Sequence, residues 1–205
     1  MFTIYDEDEN KFVLVEEPDA SLSYTYADYV KWKFEEQVEL IKGRIYKMSP
    51  APTTLHQQVS SRLHGEMYPF FKGKSCQLFP APFDVRLPVK NRKRDDEITT
   101  VVQPDICVIC DETKLDKRGC VGAPDLMIEV LSTATQQKDK TIKWELYEEA
   151  GIKEYWIVSP IEENVAVYIL NSKGKYDSPK IYSGKVVVCS QAVAGLEINL
   201  DDIFI

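Results

Sequence analysis

Residues 124–132 read PDLMIEVLS. Leu126, Met127, Ile128, Val130 and Leu131 mark an interior β-strand, because a run that is apolar at odd and even positions alike is buried on both faces. Glu129 interrupts that run. A bare carboxylate inside a sheet costs several kcal/mol, so it must be neutralised, paired or bound to a cation. A second nearly continuous apolar run, VVQPDICVIC at 101–110, carries Asp105 directly after Pro104. If the two strands are neighbours, the two carboxylates converge. A hard cation such as magnesium takes one or two carboxylates, with water and phosphate completing its shell, and can activate water for attack on a phosphodiester. Two plainer readings stay open: Asp105 placed in a turn by Pro104, and Glu129 paired with a lysine or arginine of the next helix.

That helix is TATQQKDKTIKWELYEEAG at 133–151, which Gly151 stops. Asp139, Lys143 and Tyr147 fall at i, i+4 and i+8, on one face. Lys143 could bring a positive charge to the site; an Asp139–Lys143 surface pair of small energy is the alternative. The run IKEYWIVSP (152–160) predicts a third core strand, ended by Pro160, and 165–190 alternates as two or three antiparallel strands with a turn at Lys173-Gly174. Upstream, residues 27–37 predict a helix and 38–50 a hairpin or bent strand around Lys42-Gly43. A second helix over 53–71 starts at Thr53 or Thr54, with Leu55, Val59, Leu63 and Met67 as its apolar stripe. The proline-broken run 76–88 suits a sheet edge, and polar 89–100 an exposed loop. The fold class is α/β, or mixed α+β. An N-terminal arm (1–24) precedes one domain (25–205).

The totals agree with that reading. At 205 residues, 44% apolar and 28% charged, the chain can bury a core without disulfides or structural metal. No apolar run approaches the roughly 20 residues that cross a bilayer, and the acidic N-terminus lacks a signal peptide's pattern. A cytoplasmic protein with no membrane partner is expected. The five cysteines are scattered, and the alternation of PDICVIC sends Cys107 and Cys110 to opposite faces, which disfavours zinc. Buried thiols are expected instead. The net charge of −8 weighs against nucleic acid, although KNRKR at 90–94 is a compact basic block and a candidate backbone contact.

The runs VELIKGRIYKMSPAPTTLHQ, PDICVI, GAPDLMIEVLS and KDKTIKWELYEEAGIKEYWIVSP, in this order and spacing, resemble the Uma-type family of restriction endonucleases, within the PD-(D/E)XK superfamily. The resemblance spans residues 25 to 203. It implies a restriction-endonuclease-like core: a central mixed β-sheet flanked by helices, with extra antiparallel C-terminal strands. It also implies a magnesium-dependent enzyme, with manganese a possible substitute, that cuts DNA and works as a homodimer. Asp105 and Glu129 match the superfamily's metal-holding acids, and Glu39 matches a strand-borne glutamate that could complete the shell. Leu131 stands where a strict match would have lysine, and Lys143 is the matching replacement from the following helix. His56 and Gln57 match a recurring pair placed to touch substrate, with Tyr147 beside them in that role; Asp84 is a weaker candidate. The rival reading is an inactive nucleic-acid-binding or assembly module on the same fold.

Overall fold

The computed structural model describes residues 2–6, 11–15, 22–33, 37–48, 52–88, 93–132 and 139–205. Strands β1 (Phe2–Asp6) and β2 (Lys11–Val15) precede the one-turn helix α1 (Tyr26–Tyr29) and β3 (Trp32–Lys33). The hairpin of β4 (Val38–Ile41) and β5 (Arg44–Lys47) leads to the long helix α2 (Thr54–Phe71). Next come β6 (Gln77–Pro80), β7 (Val85–Arg86), β8 (Val101–Val102) and β9 (Ile106–Ile109). The short pair β10 (Leu115–Asp116) and β11 (Gly119–Val121) runs into β12 (Leu126–Val130). A π-helical turn, Asp139–Lys143, opens α3 (Trp144–Ala150), followed by β13 (Glu154–Ser159) and β14 (Asn164–Ile169). The chain ends with β15 (Lys180–Ser183), β16 (Val187–Cys189) and β17 (Glu197–Asn199).

Two six-stranded sheets, in the orders β15-β14-β13-β12-β9-β6 and β10-β11-β7-β8-β4-β5, carry most of these strands, while β2-β1-β3 and β16-β17 form two smaller sheets. In the first, β12 runs parallel to β13 and antiparallel to β9, so this is the mixed sheet that the sequence implies. A parallel pair needs a crossover, which the segment through α3 supplies. Alternation along the central strands sorts side chains into two cores. Leu126, Ile128, Val130, Ile106, Val108, Trp156 and Val158 face one way, onto Val59, Leu63, Met67 and Phe71 of α2. Met127, Cys107, Ile109, Tyr155 and Ile157 face the other, with Leu146 and Tyr147 of α3 and Val85 and Val102 of the second sheet. Each such aliphatic side chain contributes about 1.5–3 kcal/mol on burial. Glu129 has the parity of Met127 and therefore points into the layer between the two sheets.

Local signals explain the boundaries. The β4–β5 turn has positive φ at Lys42 (51°) and Gly43 (80°), the primed geometry that matches strand twist. A Cβ on Gly43 would meet Ser23 Oγ at 2.1 Å, so this glycine is also required by packing. Thr53 caps α2, its Oγ1 accepting from the His56 N–H, and Gly151 ends α3 with φ 78°.

Several expectations are corrected. The helix over 27–37 stops at Tyr29, because the chain turns to pair Trp32 with Ile4 of β1; residues 34–36 lie outside the described residues. Leu55 is exposed, and the buried stripe of α2 begins at His56 instead. The run 101–110 is two strands in different sheets, parted at Gln103-Pro104-Asp105. The loop at 89–100 is not uniformly exposed: Ile98 and Thr100 are buried, Ile98 against Tyr26, Leu40 and Val101. Of KNRKR, Lys90, Asn91 and Arg92 lie outside the described residues, while exposed Arg94 pairs with Asp96. The cysteines are not all thiols. Cys76 and Cys110 form a disulfide, because the antiparallel β6–β9 register sets Gln77 opposite Ile109 and so brings the flanking cysteines face to face. Residues 133–138, the start of the predicted third helix, lie outside the described residues.

One buried carboxylate holds the C-terminal segment to the sheet. Glu154, fully buried, accepts from Trp156 Nε1 (2.7 Å), Ser190 Oγ (2.8 Å), Gln191 N (2.8 Å) and Ala192 N (2.7 Å). Replacing Glu154 with Ala strands those donors and should lower the unfolding free energy by about 3 kcal/mol or more. Urea denaturation measures this, and a loss under about 1 kcal/mol would contradict the role. Alkylation of the denatured, unreduced protein should label Cys107, Cys120 and Cys189 only, whereas labelling of all five cysteines would disprove the disulfide.

Candidate active site

At the centre of the molecule the ammonium of Lys143 lies 2.8 Å from Glu129 Oε1 and 3.0 Å from Glu39 Oε1. All three side chains are buried. Glu129 comes from β12 of the first sheet and Glu39 from β4 of the second, while Lys143 is the last residue of the π-helical turn. A π turn widens the helix locally and is frequent at functional sites. Taking three ions out of water costs several kcal/mol each, which only close pairing and further hydrogen bonds can offset. Those bonds are present. Tyr147 OH donates to Glu129 Oε1 at 2.6 Å, and the Gln103 main-chain N–H donates to Glu39 Oε1 at 3.0 Å. Burial first, and then the charge of Glu129, pushes the Tyr147 hydroxyl well above its ordinary value, so it remains a donor at neutral pH.

Asp105 sits at the break between β8 and β9. The antiparallel pairing of Ile128 with Ile106, carried one residue further, sets Asp105 opposite Glu129. Its Oδ2 accepts from the Val130 N–H at 2.8 Å and lies 3.4 Å from His56 Nε2. The Asp105 side chain is 22% exposed, unlike the two glutamates. His56 is buried at the start of α2 and lies beside Asp105; Gln57 next to it is exposed. Tyr147 does not line the cleft: it is fully buried and supports Glu129 from behind.

A further layer was legible in the sequence only as the weaker candidate Asp84. Asp84 accepts from Gln103 Nε2 (2.8 Å), Tyr26 OH (3.3 Å) and Tyr29 OH (3.4 Å). Gln103 thus links Asp84 through its side chain to Glu39 through its main chain, one proline away from Asp105. Burial, and next the Asp84 charge, pushes Tyr26 up to about 12 and raises Tyr29 as well, so both phenols stay protonated and donate. A neutral glutamine that acts through its backbone leaves no mark in composition or spacing.

These groups open onto a cleft of about 480 Å³. Glu39, Asp105, Glu129 and Lys143 form its floor; Gln57, Ser60, Ser61 and His64 of α2 line one wall, and Gln37, Lys47 and Met48 the other. Among the described residues no three His, Cys, Asp or Glu side chains are grouped to hold an ion between them. The donor chemistry nevertheless fits magnesium, which needs only one or two protein carboxylates and takes its other ligands from water and phosphate. Asp105, partly exposed, and Glu129 opposite it are the residues that would hold it, with Glu39 coupled through Lys143.

Comparison with known proteins bears on the fold and the family. An uncharacterized protein of Synechocystis sp. (strain ATCC 27184 / PCC 6803 / Kazusa), slr1290, is 25% identical over 152 residues, covering 73% of this chain and 75% of that protein. The crystal structure of "a putative nuclease belonging to DUF820" from Anabaena variabilis ATCC 29413 superposes with a TM-score of 0.69 at 20% identity, covering 88% of this chain and 97% of the other. At that identity the likeness establishes the fold. The profile of the Uma2 family, described as "Putative restriction endonuclease", matches residues 26–201. With most of its length matched and its mixed, helix-flanked sheet in place, the chain belongs to the Uma2 family and has a restriction-endonuclease-like core.

Proposed function

We propose that this protein is a metal-dependent endonuclease that hydrolyses DNA phosphodiester bonds, using magnesium with manganese as a substitute. The observation that carries the reading is the buried Glu39–Lys143–Glu129 bridge at the floor of a cleft that Asp105 also lines. Purely structural ion pairs are seldom worth their desolvation, so three buried ions beside an open cleft point to chemistry.

In this reading Asp105 and Glu129 would hold the metal, which when bound would supply Lewis-acid polarisation of the phosphate. Lys143 is kept in place by two carboxylates and presents a fixed positive charge to the attacking water and the developing phosphorane charge. Tyr147, itself neutral, orients Glu129 by a charge-assisted hydrogen bond. His56 orients Asp105, and Gln57 contacts the substrate from the start of α2. The Arg94–Asp96 pair removes one cation of the basic block from the phosphate contacts proposed for it.

The rival reading, an inactive binding or assembly module, draws on the same bridge. The Lys143 ammonium already bonds both glutamates, and no three-ligand group is preformed among the described residues. Cleavage assays separate the two. With magnesium and either a supercoiled plasmid or a labelled single strand as substrate, Asp105→Asn and Glu129→Gln should each lower the rate of nicking by about 100-fold or more while the variants remain folded. No nicking of either substrate by the wild type, or undiminished nicking by both variants, would overturn the enzyme reading. Tyr147→Phe tests the support of Glu129: it should cost about 1–2 kcal/mol in unfolding free energy and slow nicking less than Glu129→Gln does. A variant with wild-type stability would disprove that bond's role.

A further inference from the structure

We propose that His64 and Tyr68 form a stacking platform for an unpaired base, and hence that the strand entering the cleft is single-stranded next to the scissile phosphate. The inference rests on the nuclease reading of the cleft and adds the form of its substrate. Gln57, Ser61, His64 and Tyr68 fall at i, i+4, i+7 and i+11 of α2, so they form one stripe along the helix. The first three line the cleft, and Tyr68 continues the stripe beyond its mouth. The His64 and Tyr68 rings are stacked, with centroids 5.9 Å apart and an interplanar angle of 30°. Tyr68 is nonetheless 57% exposed, so the pair contributes little to the core and keeps aromatic surface open to a ligand. Along the axis His64 lies roughly 12 Å from His56, which touches Asp105. A strand that crosses the acids and follows α2 toward its C-terminus runs past the platform. On the opposite wall Lys47 and Met48 line the same cleft.

The exposed aromatic pair, not the charge balance, favours an unpaired strand over a duplex. At −8 the chain is poorly suited to neutralising the phosphates of either form, so contacts to the bases carry the preference. Base–aromatic stacking needs no net positive charge and tolerates any sequence, since every base has a π-face. In a duplex those faces are covered by neighbouring base pairs.

The test is fluorescence anisotropy on the full chain without metal, at fixed salt, using a short labelled single-stranded DNA and the same sequence as a blunt duplex. The wild type should bind the single strand more tightly than the duplex. Tyr68→Ala and His64→Ala should each weaken single-strand binding by about 5- to 100-fold, while Tyr68→Phe keeps it. The exposed position of Tyr68 makes an unchanged melting temperature the expected control. The proposal is overturned if the wild type fails to bind the single strand or prefers the duplex, or if Tyr68→Ala binds like the wild type. It is equally overturned if Tyr68→Phe loses as much as Tyr68→Ala. Loss of nicking in the Asp105 and Glu129 variants with no effect at Tyr68 would refute the platform alone. Tyr68-dependent binding without any nicking would refute the nuclease reading alone.

Discussion

The contact on which the rest depends is the Lys143 ammonium held between Glu39 and Glu129. It joins three elements that are remote in sequence: a strand of each sheet and the turn that opens α3. None of the three ions is stable in that layer alone, so the sheets must approach and α3 must dock for any of them to be buried. The same requirement fixes the floor of the cleft. Tyr147 and the Gln103 N–H satisfy further acceptor positions, so the bridge is embedded in a network instead of standing as an isolated pair.

The position of the lysine has a packing reason. Two residues beyond Glu129 the chain carries Leu131, which shares the face of Glu129 and is buried in the apolar layer with Met127 and Leu146. A charge at Leu131 would be desolvated among hydrocarbon. Lys143 reaches the carboxylate from the helical side, with Tyr147 one turn further on. The i, i+4 spacing of these two residues puts both on the same oxygen, Glu129 Oε1.

Much of this was legible in the sequence, and the physical reasons are specific. The apolar composition of β12 made Glu129 an anomaly that needed a partner, and helical spacing singled out Lys143 and Tyr147. Continuous apolar strands separated by a helix indicated an α/β class, and the mixed sheet came with the family resemblance. What stayed hidden depends on main-chain geometry or on register. Gln103 acts on Glu39 through its backbone N–H, and Asp84 acts through Gln103. The run 101–110 gave no sign of changing sheets, because both halves are equally apolar. The Cys76–Cys110 disulfide required the β6–β9 register, which the sequence separation of 34 residues does not reveal. Leu55 was placed on the wrong face of α2 because its neighbour His56, a polar residue, takes the buried position beside Asp105.

The central claim is that Asp105 and Glu129 together hold a divalent cation beside Lys143. Calorimetric titration of magnesium and manganese into the full-length wild type and the Asp105→Asn and Glu129→Gln variants tests it without reference to any substrate. The account predicts saturable binding of one ion by the wild type, with affinity lowered at least about 10-fold in each variant. Absence of binding to the wild type, or equal affinity in all three proteins, would contradict it.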